Sequence, residues 1–396
     1  MPDRRHVLEW LVASPLIALP LACSVSASET NSRLKDNAHS LPDPIAAWRA
    51  PGAGERDPRR YALAHAILAP NPHNRQPWLI SLHDDNKIIL TFDTTRRLPI
   101  TDPFDRQLAI GCGAFLELLS MASAQAGYES RIALFPEGQP DLTLDKRPMA
   151  VIQLVRGGQK SPLFDLIAAR RSNKQPYDEK KLVSAQTMRN LVQGDWRGDW
   201  PADLQLGGAL RGDAACESLR SITKRAYRKE VETPLALKES VDLMRIGKRE
   251  IAQYRDGIDL DFPMLNMLLA TGQLSREKMM RPGTMAFRQG LENYDPLADS
   301  AAGYVWITSA DNNRMSQIKV GRAYAKLNLR ATQLGLSMHP MRQALQEYEE
   351  MGAIKSEIDT LLNIGTDKRL QMLARIGYGP NVPPAPRRGL LEHMVE

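Results

Sequence analysis

Residues 113–127 read Gly-Ala-Phe-Leu-Glu-Leu-Leu-Ser-Met-Ala-Ser-Ala-Gln-Ala-Gly, and residues 321–335 read Gly-Arg-Ala-Tyr-Ala-Lys-Leu-Asn-Leu-Arg-Ala-Thr-Gln-Leu-Gly. Each stretch runs 14 positions from glycine to glycine, and on superposition Leu119 falls on Leu327 and Gln125 on Gln333. Both carry a small residue near the start, an apolar stripe and a glycine stop. That pattern predicts long helices over about 105–126 and 313–334. Alanine and glycine on closely packing faces mark the two helices as central, buried and structural. Glycine-bounded helices also match by chance, so an internal repeat gains weight only from what flanks them.

The flanks repeat in part. Residues 59–69 read as a helix ended by Pro70, and Trp78–Leu82 and Lys87–Phe92 as strands joined by a turn at 84–86. Ala150–Val155 is a further strand, and Tyr304–Thr308 precedes the second long helix. The body therefore divides into a first half over 56–160 and a second over 161–396.

The 396 residues are 43% hydrophobic and 25% charged, an ordinary globular balance with ample apolar material for a core. The net charge of +6 is mildly basic. No block of five or six consecutive basic residues, no zinc spacing and no aromatic-basic ladder accompanies it, which argues against nucleic acid. The three cysteines, Cys23, Cys112 and Cys216, form no C-x-x-C pair, so no metal site is expected, and Cys112 between two glycines reads as a small buried residue.

The N-terminus reads as a targeting segment. Arg4 and Arg5 precede an apolar run over 10–22, too short to span a bilayer of about 30 Å as a helix but suited to a signal peptide over 1–27. Val25-Ser26-Ala27 offers a cleavage site, whereas Leu21-Ala22-Cys23 offers a lipoprotein box. Asp3-Arg4-Arg5-His6-Val7-Leu8 is similar to a twin-arginine export signal, of the kind that passes folded proteins. Periplasmic location or a lipid anchor at the membrane follows from this reading; a poorly ordered tail is its alternative. Residues 28–55, rich in Ser, Pro, Asp and Gly, read as a linker.

Three constellations carry chemistry. The first, Ala69-Pro70-Asn71-Pro72-His73-Asn74-Arg75-Gln76-Pro77-Trp78, sets the amides of Asn74 and Gln76 in a proline-bounded loop. An amide presents donor and acceptor in one plane and suits the edge of a heteroaromatic ring; a turn bonding its own backbone is the plainer reading. In the second, Arg170-Arg171-Ser172-Asn173-Lys174, the alternating Arg170, Ser172 and Lys174 share one side of an extended stretch and suit a phosphate dianion. The plainer reading is a solvated strip. The third, Pro383-Pro384-Ala385-Pro386-Arg387-Arg388, presents two guanidinium groups from a stiff arm, or else is a basic tail. No Ser-His-Asp or Cys-His arrangement suggests a side-chain nucleophile, and His73 and His339 read as loop or packing residues. The methionines within 261–287 suit a mobile cover and an ordinary core equally.

In this order the three runs resemble the nitroreductase-like FMN-binding family, especially its long, single-chain, exported members, over roughly residues 55–396. The family's R-x-S-x-[KR] run matches Arg170 to Lys174. Its P-S-x-x-N-x-Q-P-W loop matches Pro70 to Trp78, with Asn71 in place of serine. Its late G-Y segment and terminal basic pair match Gly377-Tyr378 and Arg387-Arg388, and 321–336 is similar to its central helix. In ordinary members the R-x-S run comes first; here Arg170 follows Asn74 by 96 residues. That order suggests two protomer-like halves fused into a pseudo-dimer. The fold implied is α+β, a three-layer arrangement of sheets and helices.

The resemblance implies one FMN per monomeric chain. Asn74 and Gln76 would lie at the ring, and Arg170, Ser172, Lys174, Arg387 and Arg388 at the phosphate. It implies an FMN-dependent oxidoreductase passing two electrons through flavin N5 to a small acceptor such as a nitro compound or quinone. A flavin-sequestering protein without turnover is the alternative. Export would separate the enzyme from cytoplasmic nicotinamide, which points to a membrane carrier or partner protein as donor.

Overall fold

The computed structural model describes residues 41–395 apart from 85, 195 and 197–199. The targeting segment and the first part of the expected linker lie outside the described residues. The described residues from Pro42 onward form one compact unit.

The first sheet follows a short helix, α1 (Pro58–Ala66), whose N-cap Asp57 accepts from Arg59 N and whose first residue is Pro58. Strands β1 (Trp78–His83) and β2 (Lys87–Phe92) pair in the hairpin expected of them. Helix α2 (Arg106–Gln125) comes next, followed by β3 (Tyr128–Leu134) and β4 (Pro148–Arg156). The sheet is antiparallel, in the order β1-β2-β4-β3.

The second sheet repeats this plan. Helix α3 (Ala185–Val192) precedes β5 (Leu204–Leu210); an excursion over 211–302, opened by α4 (Ala214–Glu232), then leads to β6 (Gly303–Ser309). Helix α5 (Arg314–Gln333) separates β6 from β7 (Ser337–Pro340) and β8 (Arg369–Gly377). The order is β5-β6-β8-β7, again antiparallel. Both sheets thus read strand, strand, long helix, strand, strand, with the last strand inserted beside the second.

The two long helices pack against each other between the sheets. A Cβ on Gly113 would lie 2.2 Å from the Ile318 carbonyl oxygen, and one on Gly321 would lie 1.9 Å from that of Ile110. The contact is reciprocal: each glycine admits the backbone of the other helix, as across a two-fold axis. Helix α2 is long and apolar enough to cross a membrane, but 94% of that stretch is buried inside the protein, so it serves as a core helix.

Two features depart from expectation. The second sheet is covered on its outer face as well, where Cys216, Leu219, Ile222 and Ala226 of α4 pack with Tyr304, Leu370 and Leu373. The described part of the expected linker is folded. Ala46–Trp48 forms a 3-10 turn, and Trp48 is buried with the first core.

Candidate functional site

The Arg170–Lys174 run lies beside β7. Ser172 bridges Met338 in parallel, and Asn173 N donates to Met338 O at 3.0 Å. Asn173 fastens the run further, donating through Nδ2 to Pro380 O at 2.8 Å and Ser337 Oγ at 3.1 Å. From beneath, the fully buried Arg375 donates to Gln175 O at 2.8 Å and stacks 3.9 Å from the Tyr177 ring. These contacts fix the backbone that carries Arg170 and Lys174.

Arg170 is 2% exposed, and its Nη2 donates to Leu68 O at 3.1 Å. Its Nε and Nη1 have no partner, an arrangement that costs free energy unless an acceptor arrives. Arg387 reaches the same carbonyls from the C-terminal arm, donating to Ile67 O, Leu68 O and Ala69 O at 3.1, 3.4 and 3.2 Å. Among the described residues neither guanidinium has a carboxylate partner. Burial pulls Arg170 down to about 10 and Arg387 to about 9, the latter also through repulsion by Arg170. Both stay protonated at neutral pH.

Lys174 is solvent-exposed at its surface, yet the surrounding protein still lowers its pKa by desolvation. Arg342 and Arg387 push it the same way and Asp259 opposes them. The chain thus gathers Arg170, Lys174 and Arg387, three of the cations expected from sequence, with Ser172 half-buried on the same run.

Arg388 points elsewhere. Its Nη2 donates to Gln76 O at 2.7 Å and lies 3.1 Å from His393 Nδ1, so it braces the ring-side loop. The loop amides are also committed to protein. Gln76 is fully buried; its Nε2 donates to Arg255 O at 2.8 Å and its Oε1 accepts from Arg388 N at 3.0 Å. Asn74 Nδ2 donates to Pro386 O at 2.9 Å, while its Oδ1 accepts from Arg387 Nη1. In this conformation the amides tie the loop to the C-terminal arm. The loop is strained: His73, Asn74 and Gln76 all have positive φ, at 46°, 51° and 50°. Such strain clusters at functional sites.

Two residues near this cluster escaped the sequence reading. Arg342, just after β7, pairs with Glu230 through Nη2 at 3.6 Å and has an unpartnered buried Nη1. Trp48 lies under the guanidiniums of Arg170, Arg171 and Arg387, at 5.8, 5.1 and 5.3 Å from its ring. A lone tryptophan in an expected linker was the available signal. His73, 7% exposed, has both ring nitrogens unpartnered. Its desolvation, with Arg342, Lys174 and Arg75 nearby, holds its pKa far below the usual value. His339, expected as a packing residue, accepts from Arg375 Nε through Nδ1 at 3.1 Å.

The chain is similar over most of its length to known proteins. No family model matches it. "Putative NAD(P)H nitroreductase Rv3131" of Mycobacterium tuberculosis is 24% identical over 345 residues, covering 84% of this chain and 89% of that protein. "Putative NAD(P)H nitroreductase acg" of the same organism is 25% identical over 340 residues, covering 84% and 93%. Among solved structures, the FMN-dependent nitroreductase NfnB from Mycobacterium smegmatis in complex with NADPH aligns at TM-score 0.35 and 17% identity, covering 57% of this chain and 94% of that one.

Proposed function

We propose that this chain is an FMN-dependent oxidoreductase of nitroreductase type. The observation that carries the reading is Arg170, buried and charged, with Nε and Nη1 unpartnered beside Arg387. That donor set fits a phosphate monoester, whose oxygens accept from guanidinium forks. Arg170, Arg387 and Lys174 would hold the phosphate of FMN, with Ser172 beside them. The strained 73–76 loop would border the ring. When bound, the flavin supplies two-electron transfer to a nitro compound, quinone or similar acceptor. The protein's own part is to hold the phosphate, exclude water with the buried loop and keep His73 neutral. The near full-length similarity to two proteins named as NAD(P)H nitroreductases supports the same reaction class.

The halves act as a fused pseudo-dimer with one FMN per monomeric chain. The repeated 1-2-4-3 strand order and the reciprocal Gly113 and Gly321 contact support this. The protein is exported, to the periplasm or to a lipid anchor at Cys23, and takes electrons from a membrane carrier or partner protein. The motif over 3–8 supports that placement.

The purified protein is expected to be yellow, to release FMN on denaturation, and to be reduced by a quinol or NADPH faster than free FMN. Colourless protein that does not take up FMN would overturn the reading. Yellow protein that no donor reduces would leave the flavin-sequestering alternative.

A further inference from the structure

The segment over 43–49, expected as linker, is bound to the cation cluster at several points. Trp48 Nε1 donates to Ala385 O at 2.8 Å, and Arg387 N donates to Pro44 O at 2.9 Å. Ala385 sits among Pro383, Pro384 and Pro386, a stretch with little freedom to move away. The indole is 7% exposed and its ring is the common neighbour of Arg170, Arg171 and Arg387, all within 6 Å.

Three guanidiniums grouped in this way repel one another, and among the described residues none has a carboxylate partner. Something must hold them together before a ligand anion arrives. Carbonyl oxygens satisfy part of each: Leu68 O for Arg170, Ala168 O and Val382 O for Arg171, and Ile67 O for Arg387. The indole supplies what carbonyls cannot, a broad face with a negative quadrupole that attracts several cations at once.

We propose that Trp48 is the positioning residue of a phosphate-ester site: it gathers Arg170, Arg171 and Arg387 from three segments and thereby sets the preference for a phosphorylated ligand over its dephosphorylated form. The assignment rests on the FMN reading for the identity of the ligand, but not for the phosphate chemistry. Trp48 touches the cations and not the ligand. Removing it deletes none of the cations and costs their preorganisation.

The experiment uses the full chain freed of cofactor, with FMN, riboflavin and inorganic phosphate as probes and dissociation constants read by equilibrium titration. Wild type is expected to bind FMN far more tightly than riboflavin. Trp48→Leu is expected to weaken FMN about tenfold and to leave riboflavin within about twofold. Trp48→Phe, which keeps a smaller aromatic face without the Nε1 donor, is expected to recover much of the loss and guards against a Trp48→Leu chain that does not fold. Equal weakening of both flavins, or no weakening of FMN, would overturn the proposal, because Trp48 would then support only the fold or nothing. If wild type binds neither flavin, the FMN reading fails by itself. Inorganic phosphate then decides the Trp48 assignment: binding that Trp48→Leu weakens supports it, and binding that is unchanged or absent sinks it.

Discussion

The two sheets share a topology but differ in their surroundings. Strand β2 in the first sheet alternates half-buried and buried residues along its whole length, the pattern of a sheet with one less covered face. In β6 of the second, all but one residue is buried. The difference follows from one connection. In the first sheet residues 84–86 join the first two strands, whereas in the second the same step is taken by 211–302, whose α4 packs on the outer face. The insertion leaves β5 at the half-buried Leu210 and returns into β6 at the buried Gly303, so it packs back onto the sheet at its point of re-entry. The halves have also divided their labour. The second supplies Arg170, Lys174, Arg342 and Arg387, while the first supplies the strained loop and the Leu68 and Ala69 carbonyls.

The sharpest way to break the symmetry is at the helix crossing. Gly113→Val and Gly321→Val each drive a side chain into a facing backbone. Each is expected to destabilise the protein by about 3 kcal/mol or more, and by similar amounts, as read by urea unfolding. A mild effect at only one of the two would show that the crossing is not reciprocal. Next comes Arg170→Met. FMN affinity is expected to fall about 100-fold, while the cofactor-free protein becomes more stable by about 1 kcal/mol because a buried, uncompensated charge is removed. Cofactor-free melting and FMN titration read the two arms, and a destabilised variant with normal affinity would contradict both.

Acid sensitivity tests both halves together. Burial, with cations nearby, keeps His73, His339 and His393 neutral in the fold, with pKa values well below 6.5. The unfolded chain binds those protons first. The stability they contribute is therefore present above about pH 6.5 and is lost as pH falls, by up to about 1.4 kcal/mol per pH unit for each histidine. His73→Asn and His339→Asn should each flatten the slope of stability against pH between about 6 and 5. An unchanged slope in both would show that these rings are protonated in the native state. The smallest effect is expected at Arg388→Gln. Because Arg388 holds the Gln76 carbonyl, loop stability should drop by about 1 kcal/mol while FMN affinity changes less than about threefold. A loss of affinity matching that of Arg387→Gln would put Arg388 in the phosphate site after all.

Much of this was legible in sequence. The glycine register of 113–127 and 321–335 marked both long helices as central and buried, and the Arg170–Lys174 run and the arm at Arg387 meet at the Leu68 carbonyl. Local signals sufficed there, because periodicity and motif spacing sit within short windows. Strand β5 was missed, since Gly207-Gly208 reads as a turn. Its glycine is required instead by the Trp306 side chain, 2.3 Å from where a Cβ on Gly207 would stand. Trp48 was missed because its partners lie far along the chain, Ala385 at a separation of 337 residues. Arg388 read as the twin of Arg387, and only the direction of its side chain separates them.

The strap at Trp48 and the arm at Arg387 have a consequence for biosynthesis. The cation cluster joins Pro44, Arg170 and Arg387, so synthesis must pass residue 387 before the cluster exists. Cofactor loading is therefore a late event, following emergence of the body instead of guiding it.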